Sequence, residues 1–204
     1  MISAIVLAAG RSTRMGRNKL TLPLDGKPVL QRVLDALKGS KVDETVVVLG
    51  GGAEEVRRMI DLCGTKIVVN RHYAEGMSTS IRAGLASVNR SADAAIIVLG
   101  DQPFLSPALV DSLIDVFLAG GAPAVVPVHL RKRGNPVLFA RSLFPEIMKI
   151  SGDRGAKSVM EAHGDDVREV KTADAEAAID VDTPSDYKRA ELLLRGVRRR
   201  RTQG

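Results

Sequence analysis

A cation-rich loop near the start of the chain is the first stretch whose residues could do chemistry. It reads LAAGRSTRMGRNK over residues 7–19, directly after an apolar run, and it holds four cations and no acidic residue. Its small residues Ala8, Ala9 and Gly10 would let a ligand approach the backbone closely. Exposed N–H groups beside several cations suit a polyphosphate better than a single carboxylate. A solvated basic loop is the alternative that composition alone leaves open.

This loop matches neither of two common phosphate-binding patterns. A P-loop requires GK followed by Ser or Thr, whereas Gly16 is followed by Arg17, Asn18 and Lys19. The dinucleotide fingerprint G-x-G-x-x-G is absent from the loop as well. The residues therefore favour a phosphate-binding loop of another type.

Two acidic motifs could supply ligands for a metal ion. Asp101 follows the apolar run AAIIVL in the motif GDQP, where a carboxylate needs an ion pair or a bound cation, unless it caps a helix starting at Pro103. Asp180 and Asp182 alternate in IDVDTP, which predicts that both point to the same side of a short strand. Asp182 could instead cap the helix that Pro184 begins. A shared metal ion requires that Asp101 and Asp182 converge.

Alternating strand and helix patterns predict the scaffold that must position these groups. The predicted strands are SAIVL, TVVVLG, KIVVN, AAIIVLG and APAVVPV, and the helices between them are PVLQRVLDALKG, AEEVRRMIDLCG, residues 78–87 and PALVDSLIDVFLAGG. Such alternation predicts an α/β fold with a mostly parallel sheet covered on both faces. Ligands bind at the carboxyl ends of such strands, which places the loops after Leu7, Asn70 and Leu99 on one rim.

The second half of the chain departs from this alternation. HLRKRGNPVLFAR predicts a basic turn and a strand, ISGDRGAKSVMEAHG a loop and a helix, and DVREVK a further strand. AIDVDTPSDYKRAELLL predicts a short strand, a turn and a capped helix. We interpret these elements as an elaboration on the same sheet, so residues 1–194 form a single domain and residues 195–204 a basic tail.

Composition argues against several classes of function. Aromatic residues make up 3% of the chain and Trp is absent, so the stacking platforms of single-strand nucleic-acid binders are hard to build. The arginines in RGVRRRRTQG are interpreted as a solvated tail, and we expect no nucleic-acid partner. One cysteine excludes an intrachain disulfide, and the three histidines lack the spacing of a zinc site. The N-terminal apolar run is too short for a signal peptide or membrane span, so we expect a cytoplasmic protein without a membrane partner.

Taken together, the motifs resemble those of the molybdenum cofactor nucleotidyltransferases, and most closely the molybdopterin cytidylyltransferase branch. The resemblance rests on LAAGRSTRMGRNK with LPLDGKPVLQRVLDAL, then NRHYAEGMSTSIRAGL, GDQPFL, GNPVLF, GDRGAK and DVDTPSDY. These motifs occur in the family's order and extend to about Leu194. Each motif alone is weak, whereas the ordered set is specific.

The resemblance implies a Rossmann-like, three-layer nucleotidyltransferase that uses Mg²⁺ to transfer CMP from CTP to a phosphate of molybdopterin. It assigns catalytic roles to Arg14, Lys19 and Asp101, and Mg²⁺ ligation to Asp101 and Asp182. It assigns nucleotide binding to Leu7, Ala8, Ala9, Gly10, Arg11, Ser12, Gly16, Lys19, Gly76, Ser78, Ser80 and Gly100. It assigns acceptor binding to Gly134, Asn135, Pro136 and Asp153. It also implies that a molybdenum oxidoreductase receives the product.

Two departures from the family's patterns bear on the substrates. Many relatives carry His before the Pro of GNPV, where this chain has Asn135, so the acceptor could differ from molybdopterin. Guanylyl relatives usually read LAGG in the opening loop, whereas Ala9 makes this loop LAAG and favours CTP over GTP. A sugar or polyol phosphate acceptor stays open, as does a non-catalytic carrier of the cofactor. The carrier would not need the cation and carboxylate set of Lys19, Asp101 and Asp182.

Overall fold

Helices cover both faces of a mixed β-sheet in the computed structural model. The structure describes residues 1–153, 155–173 and 176–201, and it describes side chains as far as residue 196. The strands are β1 Ile2–Ala8, β2 Pro23–Leu24, β3 Lys27–Pro28, β4 Glu44–Leu49, β5 Lys66–Val69, β6 Ala94–Leu99, β7 Ala124–His129, β8 Lys132–Arg133, β9 Val137–Ala140 and β10 Arg168–Lys171. The α-helices are α1 Val29–Lys38, α2 Ala53–Met59, α3 Met77–Leu85, α4 Pro107–Gly120, α5 Phe144–Ile147, α6 Lys157–Ala162 and α7 Pro184–Arg201.

The main sheet has the strand order β10-β7-β9-β6-β1-β4-β5, and β8 pairs with β7. Parallel pairing joins β1 to β4 and β6, β4 to β5, and β7 to β10. Only β9 among the strands along this path runs antiparallel to its neighbours β6 and β7. The carboxyl ends of β1, β4 and β6 therefore meet on one edge of the sheet.

Burial on both faces explains the continuous apolar strands. Alternate residues of β1 enter two different clusters, with Val6 packing beneath α1, α2 and α4, and Ile5 packing beneath α3, α5 and α6. In α3, Gly84 allows the helix to lie directly on Ile5 and Val48, because any Cβ there would collide with Ile5. The result is a three-layer arrangement, as the strand pattern predicts.

The five predicted strands of the first half are confirmed as β1, β4, β5, β6 and β7, and their intervening helices as α1 to α4. Helix α2 ends at Met59, earlier than predicted, because Ile60 adopts an extended conformation. The later predictions of β9, α6 and β10 are also confirmed, and α7 begins at Pro184 as expected. The predicted mostly parallel α/β fold is therefore confirmed.

One prediction for the C-terminal part differs from the structure. The short strand at residues 179–182 is wrong, because this segment pairs with no strand and follows a 3₁₀ turn at Glu176–Ala178. Helix α7 runs through the predicted boundary at residue 194 and continues to Arg201. The side chains of Arg198, Arg199, Arg200 and Arg201, and residues 202–204, lie outside the described part. The single-domain interpretation stays a prediction.

None of the helices in the described ranges is long and apolar enough to cross a membrane.

Candidate active site

The loops that follow β1 and β6 lie side by side at the carboxyl edge of the sheet. Leu7 pairs with Leu99 in the register of these strands, and the N–H of Gly100 donates to the carbonyl of Leu7 at 3.0 Å. A Cβ at position 100 would lie 2.9 Å from that carbonyl oxygen, so only glycine permits this approach. Gly50, after β4, likewise approaches the carbonyl of Ala9. The rim that the sequence predicts is therefore built by close backbone contacts.

A cavity of about 470 Å³ opens at this rim. Five segments line it: the opening loop, the turn before α3 with the first turn of that helix, the two acidic motifs, and the segment that contains Asp153. The predicted nucleotide-binding and catalytic residues that line it are Leu7, Ala8, Ala9, Gly10, Arg11, Arg14, Lys19, Gly76, Ser80 and Asp101, together with the predicted metal ligand Asp182. We call this the nucleotide cavity.

Lys19 is the centre of the charged groups in the nucleotide cavity. Its side chain is 11% exposed, and its Nζ donates to Asp101 Oδ2 and, at 2.6 Å, to Asp182 Oδ1. Burial lowers the pKa of Lys19, but the two carboxylates outweigh that effect and raise the pKa above its ordinary value. Because both carboxylates contact one nitrogen, their bonded oxygens lie within roughly 6 Å of each other, or two hydrogen-bond lengths.

Local hydrogen bonds fix the backbone that carries Lys19. Lys19 is the first residue of a 3₁₀ turn, Lys19–Thr21. Asn18 is the N-cap of this turn, and its side chain accepts the N–H of Leu20 at 3.2 Å. The hydroxyl of Thr21 donates to Glu55 Oε1 of α2 at 2.6 Å. Ser12 Oγ accepts the N–H of Lys19 at 3.2 Å. The lysine is thus held in place by the loop itself and by α2.

Asp182 takes part in ion pairs and does not cap α7. It contacts Lys19 and also Arg14, whose Nη2 lies 3.0 Å from Asp182 Oδ2. Burial raises the pKa of Asp182, but Lys19 and Arg14 outweigh it and hold the pKa below its usual value. The helix is instead capped by Thr183 and Asp186, each of whose side chains accepts the other's backbone N–H.

The alternative that Asp101 caps a helix is also wrong. Helix α4 begins at Pro107, and its N-cap is Ser106, whose hydroxyl oxygen accepts the N–H of Leu109 at 3.2 Å. The carbonyl of Asp101 accepts the N–H of Val181 at 3.0 Å. This bond brings the segment with Asp182 to the end of β6, so a hydrogen bond replaces the predicted strand as the link between the two acidic motifs.

Tyr73, to which the sequence motifs gave no role, also lines the nucleotide cavity, as does Asp180 of the second acidic motif. The guanidinium carbon of Arg11 lies 5.7 Å from the centroid of the Tyr73 ring, within cation–π range. Asp180 Oδ1 accepts a hydrogen bond from Gln102 Nε2 at 2.8 Å. Tyr73 follows Asn70, at the carboxyl end of a predicted strand. The rule that ligands bind at such strand ends could therefore have identified Tyr73.

Four predicted nucleotide-binding residues do not line this cavity within the described part of the chain. Ser12 and Gly16 adopt left-handed backbone conformations that shape the opening loop, with φ values of 51° and 72°. Gly100 allows the close strand contact described above. Ser78 is 1% exposed, and no described residue lies within hydrogen-bonding reach of its hydroxyl.

A second cavity of about 690 Å³ adjoins the first. Gly134, Asn135 and Asp153, predicted to bind the acceptor, line it, whereas Pro136 is absent from the lining among the described residues. Apolar side chains line it together with three cations, Lys132, Arg133 and Lys157, and the carboxylate of Glu161, which lies 3.6 Å from Lys157. The two cavities share Leu7, Met77, Leu99 and Asp153. We call the second one the acceptor cavity.

The sequence model of the MobA-like NTP transferase domain matches residues 4–167. This range includes the opening loop, Lys19, Asp101 and the residues of the acceptor cavity, and ends before Asp182. The chain belongs to the MobA-like NTP transferase family. It is therefore a nucleotidyltransferase, and the reaction class implied by its motifs is confirmed.

Two curated relatives are similar over nearly the whole chain. Nicotine blue oxidoreductase of Paenarthrobacter nicotinovorans is 29% identical over 189 residues, which cover 89% of this chain and 92% of that protein. Purine catabolism protein PucB of Bacillus subtilis is 28% identical over 196 residues, 90% of this chain and 92% of PucB. The different names of these two proteins show that similarity at this level does not identify the acceptor.

Solved structures share the fold closely. Rv0371c of Mycobacterium tuberculosis is 35% identical with a TM-score of 0.85, over 94% of this chain and 97% of that one. A structure of the same mycobacterial protein is a complex with manganese, at 34% identity and a TM-score of 0.82, over 94% of this chain and 98% of that one. A nucleotidyl transferase from Methanothermobacter is 26% identical with a TM-score of 0.82, over 96% of this chain and 99% of that one.

Proposed function

We propose that this nucleotidyltransferase transfers CMP from CTP to a phosphate of molybdopterin, with Mg²⁺ as its metal and release of pyrophosphate. The observation that carries the proposal is the convergence of Lys19, Asp101 and Asp182 beneath a basic loop. The family membership gives the reaction class. The ordered motifs of the molybdopterin cytidylyltransferase branch support the two substrates.

Asp101 and Asp182 would hold the Mg²⁺. Both are oxygen ligands, and they come from separate segments that already meet at one positively charged group, the Lys19 ammonium. No three His, Cys, Asp or Glu side chains gather as a metal site among the described residues. Two carboxylates nevertheless fit Mg²⁺, which commonly completes its coordination with substrate phosphates and water. The manganese complex of Rv0371c supports a divalent metal in this family. When bound, the ion neutralises phosphate charge and favours departure of pyrophosphate.

The side chains of the opening loop would bind the triphosphate. Arg11 and Arg14 line the cavity from the loop, and Lys19 contributes a charge that its raised pKa maintains. An oxygen of the acceptor phosphate would attack the α-phosphate, and the bond between the α- and β-phosphates would break. Since two anions meet in this step, fixed cations lower its electrostatic barrier.

This reaction does not require a general base in the protein. The acceptor phosphate is already ionised at neutral pH, so no proton needs to leave the nucleophile. Among the described residues, none of the three histidines lines either cavity. The chemistry is instead positional and electrostatic, which matches the residue types at the site.

The acceptor cavity suits a phosphorylated molecule with a flat ring. Its lining contains Ile97, Val137, Phe139 and Met160, whose apolar surface would contact a ring face. Lys132, Arg133 and Lys157 in the lining would attract a phosphate. The shared boundary with the nucleotide cavity would allow the acceptor phosphate to reach the α-phosphate. We propose that the product then passes to a molybdenum oxidoreductase.

Pyrophosphate release tests the proposal. Each of CTP, GTP, ATP and UTP is combined with molybdopterin and with a set of sugar and polyol phosphates, in Mg²⁺. We expect the highest kcat/KM for CTP with molybdopterin. A sugar or polyol phosphate as best acceptor would reject molybdopterin as substrate. Molybdopterin binding without pyrophosphate release in any combination would instead identify a non-catalytic carrier.

A further inference from the structure

Asp153 stands at the boundary of the two cavities, and its carboxylate contacts the first residue of α3. It lines both cavities. Its Oδ1 accepts the N–H of Met77, the first residue of α3, at 3.1 Å. The sequence motifs assign Asp153 to the acceptor, yet the hydrogen bond it makes in the structure supports the nucleotide wall.

The segment around Asp153 acts as the N-terminal cap of α3. The first N–H groups of any helix lack partners within the helix. In α3 the N-cap is Gly76, which has no side chain to accept them. Asp153 accepts the N–H of Met77, and the carbonyl of Gly152 accepts the N–H of Ser78 at 3.1 Å. A chain segment about 75 residues away thus supplies the cap.

Glycine at the contact points makes this cap possible. A Cβ at Gly76 would lie 2.7 Å from the carbonyl carbon of Gly152 and 2.9 Å from Asp153 Oδ1. Gly76 also has a φ of 114°, which favours glycine. Gly155 lies against Met77, where a Cβ would approach the sulfur to 3.1 Å. The segment therefore packs against the first turn of α3 with no room for side chains between them.

The first turn of α3 is also part of the nucleotide cavity. Gly76, Met77 and Ser80 line it, and Met77 lines the acceptor cavity as well. Any displacement of Asp153 would therefore be transmitted to the nucleotide wall through one hydrogen bond.

We propose that Asp153 is a positioning residue for the nucleotide: it holds the first turn of α3 in the conformation that binds the NTP. This inference rests on the proposed function, and it reassigns a residue that the motifs give to the acceptor. Because Asp153 borders both cavities, it also links their occupancy. An acceptor that shifts its carboxylate changes nucleotide affinity, and the nucleotide changes acceptor affinity by the same factor.

Two substitutions separate a positioning role from direct acceptor binding. Asp153→Asn keeps the Oδ1 that accepts the N–H of Met77 but loses the charge, whereas Asp153→Ala loses both. We measure CTP affinity without acceptor, by calorimetric titration in Mg²⁺, and then KM and kcat for both substrates. We expect Asp153→Ala to weaken CTP binding roughly fivefold, the factor that corresponds to one lost cap. We expect Asp153→Asn, which keeps the accepting Oδ1, to bind CTP within about twofold of the wild type.

Ser106→Ala provides the matched control. It removes the N-cap of α4, a helix that lines neither cavity. It should lower the unfolding temperature, as Asp153→Ala does, without changing CTP affinity.

Unchanged CTP affinity in a folded Asp153→Ala protein would overturn the positioning role. An equal rise of the acceptor KM in both Asp153 variants, with CTP affinity unaltered, would show that Asp153 binds the acceptor directly and does not position the nucleotide. A wild-type protein that binds no NTP would overturn the proposed function, and the positioning role with it. The titration therefore tells the two failures apart.

Discussion

The nucleotide cavity and the acceptor cavity meet at four shared residues, but most of their other lining residues come from different elements. The nucleotide cavity lies at the ends of the central strands β1 and β6. In it, Lys19 forms ion pairs with the carboxylates of Asp101 and Asp182. The acceptor cavity is walled by β8, β9 and α6, and apolar side chains line it together with cations and carboxylates. Under the proposed function, the strand ends of the central sheet would carry out nucleotidyl transfer, and β8, β9 and α6 would bind the acceptor.

This difference predicts that substitutions in the two cavities separate catalysis from acceptor recognition. The largest effect is expected at Lys19. Lys19→Ala should lower kcat by at least roughly a hundredfold, because it removes a buried cation that would stabilise charge in the transition state. Lys41→Ala is the control, since Lys41 forms an exposed ion pair with Asp115 at 2.6 Å, away from both cavities. Near-normal kcat in a folded Lys19→Ala protein would remove Lys19 from catalysis.

The second prediction concerns the metal. Asp101→Asn and Asp182→Asn should each raise the Mg²⁺ concentration for half-maximal activity by about tenfold or more, since each change removes an anionic ligand. Asp35→Asn is the control, because Asp35 pairs with Lys27 on the surface of α1. Titration of activity with MgCl₂ measures the effect. A metal requirement that stays at the wild-type value in both variants would contradict a shared ion.

The third prediction concerns the base. Ala9 lines the nucleotide cavity at its rim, and its methyl group should narrow the space for a purine. We expect CTP to be preferred over GTP by about tenfold, within the roughly 1–3 kcal/mol that one methylene decides in a pocket. Ala9→Gly should raise kcat/KM for GTP and, as a second purine, for ATP. Equal efficiency of the wild type with GTP and CTP would show that Ala9 does not select the base.

The smallest effect is expected in the acceptor cavity. Lys132→Ala should raise the KM of a phosphorylated acceptor by roughly threefold to tenfold, the scale of one exposed charge, without changing the KM of CTP. Lys149→Ala, an exposed lysine that lines neither cavity, is the control. A larger effect on CTP than on the acceptor would mean that the two cavities are not separate in function.

The sequence predicts the nucleotide cavity better than the acceptor cavity for a physical reason. Asp101 comes just after β6, and the loop that ends at Lys19 comes after β1. The apolar patterns of both segments identify buried strands, and parallel strands bring their carboxyl ends together. Their convergence therefore follows from local patterns and one topological rule. The convergence of Asp182 does not, because it depends on long-range contacts, among them the hydrogen bonds from Val181 to Asp101 and from Gln102 to Asp180.

Individual hydrogen bonds within loops and between distant segments account for what the sequence could not predict. The role of Ser12 depends on a bond to Lys19, and that of Asp153 on a bond to a helix about 75 residues away. Neither bond leaves a periodic signal in the sequence. The position of Tyr73 at the rim could have been predicted, because Tyr73 follows a predicted strand end. Its contact with Arg11 could not be predicted from the sequence and is seen only in the structure.

The most direct test measures which phosphate of CTP is transferred to the acceptor. Wild-type protein is incubated with Mg²⁺ and the best acceptor, using CTP labelled with ³²P at the α-phosphate or at the γ-phosphate, with Lys19→Ala as the inactive control. We expect the α label to appear in the acceptor and the γ label only in pyrophosphate. Transfer of the γ label to the acceptor, or no transfer of either label to any acceptor, would contradict nucleotidyl transfer at this site.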